Sequence, residues 1–155
     1  MDIYLNVKIG KNVEKDEMEM NERYQIKYQT PDVDVFNGLR TEAGLSSKER
    51  KAIEIGLPNT LFAVSIYDGH TLIGMGRVVG DGGVVFHVVD IVVKPAYQGQ
   101  GLGKRVMQEI MNYLDSHTYK GSYVSLIADI PADKLYEQFG FQYTEPNSVG
   151  MYRMY

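Results

Sequence analysis

A chain of 155 residues with net charge −4 and neither Cys nor Trp is the size of one domain. It lacks the thiolates for disulfides, a cysteine zinc site, an iron–sulfur cluster or a Cys nucleophile. Mild acidity without a basic stripe argues against nucleic acid, and no apolar run is long enough to span a bilayer. His70, His87 and His117 show no metal-ligand spacing, so no metal is expected. The start, MDIYLNVKIG, has no signal-like apolar core, and with the missing Cys it fits the cytoplasm. Glycine is frequent, 16 residues in all, and nine of them fall between Gly69 and Gly103.

In chain order, Ile3 to Ile9 alternates apolar and polar and predicts a short strand, followed by the charged stretch KNVEKDEMEMNER. Residues 1–23 are therefore an N-terminal extension or an added strand, and 24–155 a single domain. Tyr24 to Gln29 predicts a strand. Pro31-Asp32 opens a helix to about Ala43, with Gly44 as its stop. Ser46 and Glu49 have capping-box spacing ahead of a second helix to about Ile55. Leu61 to Tyr67, Leu72 to Val79 and Val84 to Val93 read as a three-strand meander, turned at Asp68-Gly69 and at Gly80 to Gly83. A helix from about Gly101 to Ser116 carries Val106, Met107, Ile110, Met111 and Leu114 on one face. Tyr123 to Ala128 is the next strand, parallel to the one before the helix. A short helix from about Asp133 to Phe139 follows. Phe141 to Tyr143 and Met151 to Tyr155 are the last expected strands. The sum is a mixed sheet with helices on both faces.

The segment Gln98-Gly99-Gln100-Gly101-Leu102-Gly103-Lys104 joins a strand to a helix. The first N–H groups of that helix lack partners, and its dipole favours negative charge, so an anion site is one reading. A dinucleotide fingerprint would need Gly where Lys104 stands. A P-loop would need a longer loop and Ser or Thr where Arg105 stands. From the residues alone, an ordinary tight turn is equally compatible with Gln98-x-x-Gly101-x-Gly103.

VVDIVVKPAYQGQGLGKRVM, taken with the later LYEQFGF, strongly resembles the GNAT superfamily of acetyl-CoA-dependent N-acetyltransferases. The resemblance runs from roughly Leu61 to Tyr155. It implies an α/β (α+β) GNAT fold: a mixed, mostly antiparallel twisted sheet whose central parallel strands splay to admit coenzyme A. It implies that the main chain of Ile91 and Val93, with Val92 between them, bonds the pantetheine arm. It implies that the N–H groups of Gln98, Gly99, Gln100, Gly101, Leu102, Gly103 and Lys104 cradle the pyrophosphate. It also implies that Tyr136 protonates the leaving thiolate. Where the family often has Asn, this chain has Asp129, so that role is not carried over.

Acetyl transfer further needs a route for the amine proton and a donor to the developing oxyanion. Asp90 interrupts the apolar run VVFHVVDIVV, and an unpaired carboxylate there is costly, so it is expected to face the cleft. It is the candidate base through water, or the anchor of the ammonium. His87 is the other candidate, although simple alternation puts it on the opposite face unless a bulge intervenes. The oxyanion donor is expected to be a main-chain N–H near Ile91 or Val92. Arg77 is the nearby cation that could bind a substrate carboxylate. The expected partner is a small-molecule amine or amino acid attacked directly in a ternary complex, with neither nucleic acid nor membrane involved. Glucosamine 6-phosphate, a protein lysine and a non-catalytic acyl-CoA sensor are the alternatives. A homodimer could form through the Ile3 to Ile9 strand or the C-terminal one.

Overall fold

The computed structural model describes residues 14–15, 18–20 and 22–155, so the strand expected at Ile3 to Ile9 lies outside the described residues. The elements are β1 (Gln25–Lys27), α1 (Val33–Glu42), α2 (Arg50–Gly56), β2 (Phe62–Asp68), β3 (Thr71–Gly80), β4 (Val85–Val93), α3 (Leu102–His117), β5 (Tyr123–Ser125) and α4 (Asp133–Glu137). The five strands lie side by side in chain order. Short turns join β2 to β3 and β3 to β4, β1 returns antiparallel onto β2 through α1 and α2, and the α3 crossover makes β5 parallel to β4.

Each face of the sheet is covered. Val64, Ile66, Val78, Phe86 and Val88 pack on Val106, Met107 and Ile110 of α3. On the other face Leu72, Met75 and Val92 pack on Phe36 and Leu39 of α1 and Ile53 of α2. Gly76 lets α3 lie close to β3: a Cβ there would stand 2.5 Å from Val106 Cγ1 and 2.6 Å from Ile91 Cδ1.

Three expectations need correction. The Ser46/Glu49 capping box does not form. The second helix begins at Arg50 with Glu49 as its N-cap residue and no side-chain cap, so Ser46 lies three residues ahead of the position a capping box requires. The strand expected from Tyr123 to Ala128 ends at Ser125, since pairing with β4 stops at His87↔Ser125. Phe141 to Tyr143 and Met151 to Tyr155 are not strands. Phe141 packs edge-on against Tyr136, and the Tyr143 hydroxyl donates to Asp133, so this stretch is held by α4. Met151, Tyr152 and Tyr155 are at least 83% exposed, so no burial fixes a strand there, nor is a C-terminal strand formed to pair across a dimer. Among the described residues no helix is long and apolar enough to cross a membrane, and no group of three or more His, Asp or Glu side chains could hold a metal ion.

Gly76→Ala should destabilise the fold by about 1–3 kcal/mol, because Val106 has no room to yield without moving α3. Urea unfolding measures this, and an unchanged midpoint would contradict the close approach of α3 to β3.

Candidate active site

The site begins with a break in the β4 ladder. Arg77 pairs with Val89 and Met75 with Val92, so β4 carries one residue too many between them. Asp90 sits there with φ +55, the one described non-glycine residue with positive φ. This is a β-bulge, and it has a reason. Phe86 and Val88 face the α3 core, and strict alternation would drive the Asp90 carboxylate into the same apolar layer. The bulge turns it to the α1 face instead.

Two guanidiniums meet it there. Arg40 Nη1 of α1 donates to Asp90 Oδ1, and Arg77 Nε of β3 donates to Oδ2 at 2.8 Å. The three side chains are only 9%, 13% and 9% exposed for Arg40, Arg77 and Asp90. Arg40 also donates twice to the Ser46 carbonyl, at 3.2 and 3.1 Å, and Arg77 donates to Thr60 Oγ1 at 2.7 Å. Both guanidiniums lie near the Phe36 ring, 5.8 and 5.4 Å from its centroid. Two cations against one carboxylate leave the cluster with one surplus positive charge.

The bulge also marks where β4 leaves β5. Beyond His87↔Ser125 the facing edge of β4 has no strand partner. The gap opens into a cleft of ≈ 610 Å³. One wall is Val88 to Ile91, with Arg40 and Leu45 beside it. The far wall is Leu126, Ile127 and Asp129 to Ala132, with Tyr136 behind them and Gln98 at one end. Asp90, Ile91, Gln98 and Tyr136 are therefore brought together. Val92 is buried under α1, and Val93 lies on the α3 side with its carbonyl accepting from Gln98 Nε2 at 3.0 Å. Arg77 is tied into the ion cluster and does not border the cleft. The bulge thus puts Asp90 on the face that His87 already occupies by alternation, but His87 Nδ1 is 2.9 Å from Ser125 Oγ and the residue is absent from the cleft wall.

Tyr136 is 8% exposed, and among the described residues its hydroxyl makes no protein hydrogen bond. Burial, seconded by the negative charge of Asp129, pushes the phenol above its ordinary value, so it stays protonated across neutral pH. Asp129 borders the cleft, and its carbonyl, not its carboxylate, meets the turn into α4 by accepting from Ala132 N–H at 2.7 Å.

At the end of the cleft, Pro95–Tyr97 forms a single 3₁₀ turn and leads into the glycine loop. Gly101 caps α3 with φ +84, a left-handed conformation natural to glycine, and supplies no capping side chain. The first amides of α3 are thus left for a ligand, and its first turn holds no acid. Leu102 is buried and pins the helix, while Lys104 is exposed beside these amides.

Arg40 is the residue that sequence reasoning missed. A signal was present: it lies four residues after Phe36, on the same apolar stripe of α1, where a solvated Arg has no place. Gln98 was expected for its main chain, and the use of its side chain to close the Val93 carbonyl had no sequence signal.

Residues 41–151 match the family model for an acetyltransferase (GNAT) domain. The solved structure of a protein of unknown function from meticillin-resistant Staphylococcus aureus, named a probable acetyltransferase, is similar. It shares 53% identity, with a TM-score of 0.82 over 85% of this chain and 99% of that one. An uncharacterized N-acetyltransferase of Gracilaria tenuistipitata var. liui is 32% identical over 110 residues, 66% of this chain and 57% of that protein. A histone acetyltransferase of Glycine max is 26% identical over 134 residues, 78% of this chain and 57% of that protein. The chain thus spans little more than half the length of these two relatives. With a family match over most of its length and the mixed five-strand sheet those structures share, the chain belongs to the GNAT acetyltransferase family.

Proposed function

We propose that the protein transfers the acetyl group of acetyl-CoA to the primary amine of a small molecule, an amine or amino acid, by direct attack in a ternary complex. The observation that carries this reading is that the unpaired β4 edge, the start of the glycine loop and Tyr136 border one cleft. Acetyl-CoA fits these residues: uncapped α3 amides suit its pyrophosphate, and the open edge beyond His87 suits its amide-bearing arm. It supplies the acetyl group as a thioester. A cytoplasmic setting is part of the same reading, since a chain without Cys gains nothing from an oxidising compartment.

The residues then divide the work. A main-chain N–H of the bulged edge near Ile91 receives the negative charge that grows on the carbonyl oxygen. Tyr136 gives its hydroxyl proton to the departing sulfur as the C–S bond breaks and the C–N bond forms, and regains a proton from solvent. Asp90 has both oxygens engaged by guanidiniums, so the amine proton passes to water. Asp90 thereby acts as the positioning residue for Arg40, Arg77 and the bulge. The surplus positive charge of the cluster favours an acceptor that carries a carboxylate near its amine, and disfavours a polycation.

Tyr136→Phe should lower kcat by about tenfold or more while the KM for acetyl-CoA stays nearly unchanged, and an unchanged kcat removes the acid role. Because the phenol is raised and must be protonated to act, wild-type kcat should show no alkaline fall within the ordinary tyrosine range near pH 10. Asp90→Asn should lower both stability and rate but keep the acid limb of the kcat/KM profile. Loss of that limb would make Asp90 the base. In a thiol-release screen with acetyl-CoA, amino acids should be acetylated well ahead of spermidine, with glucosamine 6-phosphate as the third class. Preference for spermidine would contradict the charge assignment, and acetyl-CoA binding without thiol release on any acceptor would favour an acyl-CoA sensor.

A further inference from the structure

The chain just before β1 is folded onto the glycine loop. Tyr24 is 5% exposed, and its hydroxyl donates to Gln100 Oε1 at 2.9 Å. Its ring meets Tyr97 edge-on, with centroids 6.1 Å apart. Met20 Cε lies 3.7 Å from where a Cβ on Gly101 would stand. Between the segment and the loop is a hollow of ≈ 310 Å³ walled by Glu19, Met20, Arg23, Tyr24 and Gln100. The Arg23 guanidinium rests 5.0 Å from the Tyr24 ring centroid, and among the described residues no carboxylate pairs with it. Glu19, the acid on the rim, is 3.7 Å from Lys15 Nζ.

The adjoining end of α3 is short of fixed cations. Arg105 is committed to Glu109 at 2.7 Å, which leaves Lys104 as the nearby loop cation. Helix amides can take one phosphate, but coenzyme A carries a diphosphate and a ribose 3′-phosphate, more charge than one helix terminus offsets.

We propose that Arg23 binds a phosphate of the coenzyme's nucleotide end, and that Tyr24 is the positioning residue that holds Arg23 and Gln100 beside the α3 amides. This rests on the acetyl-CoA reading above. It makes the segment before β1 a wall of the coenzyme site and not a loose extension. Arg23 is the specific cation because the hollow it borders shares Gln100 with the loop, and its Met20 wall lies against Gly101.

The test is calorimetric titration of wild type, Arg23→Gln and Arg23→Lys with CoA and with 3′-dephospho-CoA, each variant's melting temperature being measured alongside. Arg23→Gln should weaken CoA by about tenfold at an unchanged melting temperature, and Arg23→Lys should recover most of that loss. If dephospho-CoA binds wild type and Arg23→Gln alike, the contact is to the 3′-phosphate; if it is weakened as CoA is, the contact is to the diphosphate. An Arg23→Gln affinity within about twofold of wild type would overturn the proposal, as would a loss that Lys fails to recover and that follows the melting temperature. Wild type that binds no CoA would instead overturn the acetyl-CoA reading itself.

Discussion

Asp90 places a carboxylate in the middle of an apolar strand, and the fold around it is organised by how that charge is accommodated. Left in register, it would enter the layer that holds Phe86, Val88 and α3. One extra residue in β4 turns it to the other face, where Arg40 and Arg77 take both oxygens. Removing two guanidiniums and a carboxylate from water is expensive unless each finds its partner, so the cluster ties α1, β3 and β4 together as a unit. A positive φ at a non-glycine residue persists only where its surroundings over-determine it, and here three elements do so.

The bulge and the cleft follow from one another. A bulged strand bends and twists more strongly, and β4 parts from β5 just before it, after His87↔Ser125. The parting exposes main-chain groups of β4 on one side and the loop from Leu126 to Ala132 on the other. Tyr136 looks across that gap from α4. The α3 terminus lies at the end of the same strand, because Val93, Gln98 and the 3₁₀ turn at Pro95–Tyr97 lead directly into it. The groove proposed for acetyl-CoA runs from uncapped amides at one end, along an open strand edge, to a protonated phenol at the other.

Much of this was legible in the residues because it depends on local spacing. The alternation of Leu61 to Val93 places the meander, the glycines at 99, 101 and 103 mark the loop, and the apolar stripe from Val106 to Leu114 marks α3. Gln98 and Tyr136 were placed at one cleft by the family resemblance that the loop and LYEQFGF carry, and both border it. The fate of Asp90 was not legible, because its partners lie 50 and 13 residues away and nothing local ties Arg40 on the α1 stripe to a carboxylate on β4. The Ser46 capping box failed on a shift of boundary, because the helix starts at Arg50 with Glu49 as its N-cap residue. The C-terminal strands failed for another reason. Apolar alternation from Met151 to Tyr155 states a preference, but a strand also needs an edge to pair with and a face to bury, and these residues have neither.

The gap between β4 and β5 is the proposed place of reaction of the thioester. A crystal structure with acetyl-CoA bound tests it most directly. The pantetheine arm is expected along β4 beyond His87, the pyrophosphate on the amides of Gly101 to Lys104, and the sulfur within hydrogen-bond reach of the Tyr136 hydroxyl. Acetyl-CoA seated elsewhere, or a sulfur turned away from Tyr136 with the acetyl group outside the cleft, would contradict it.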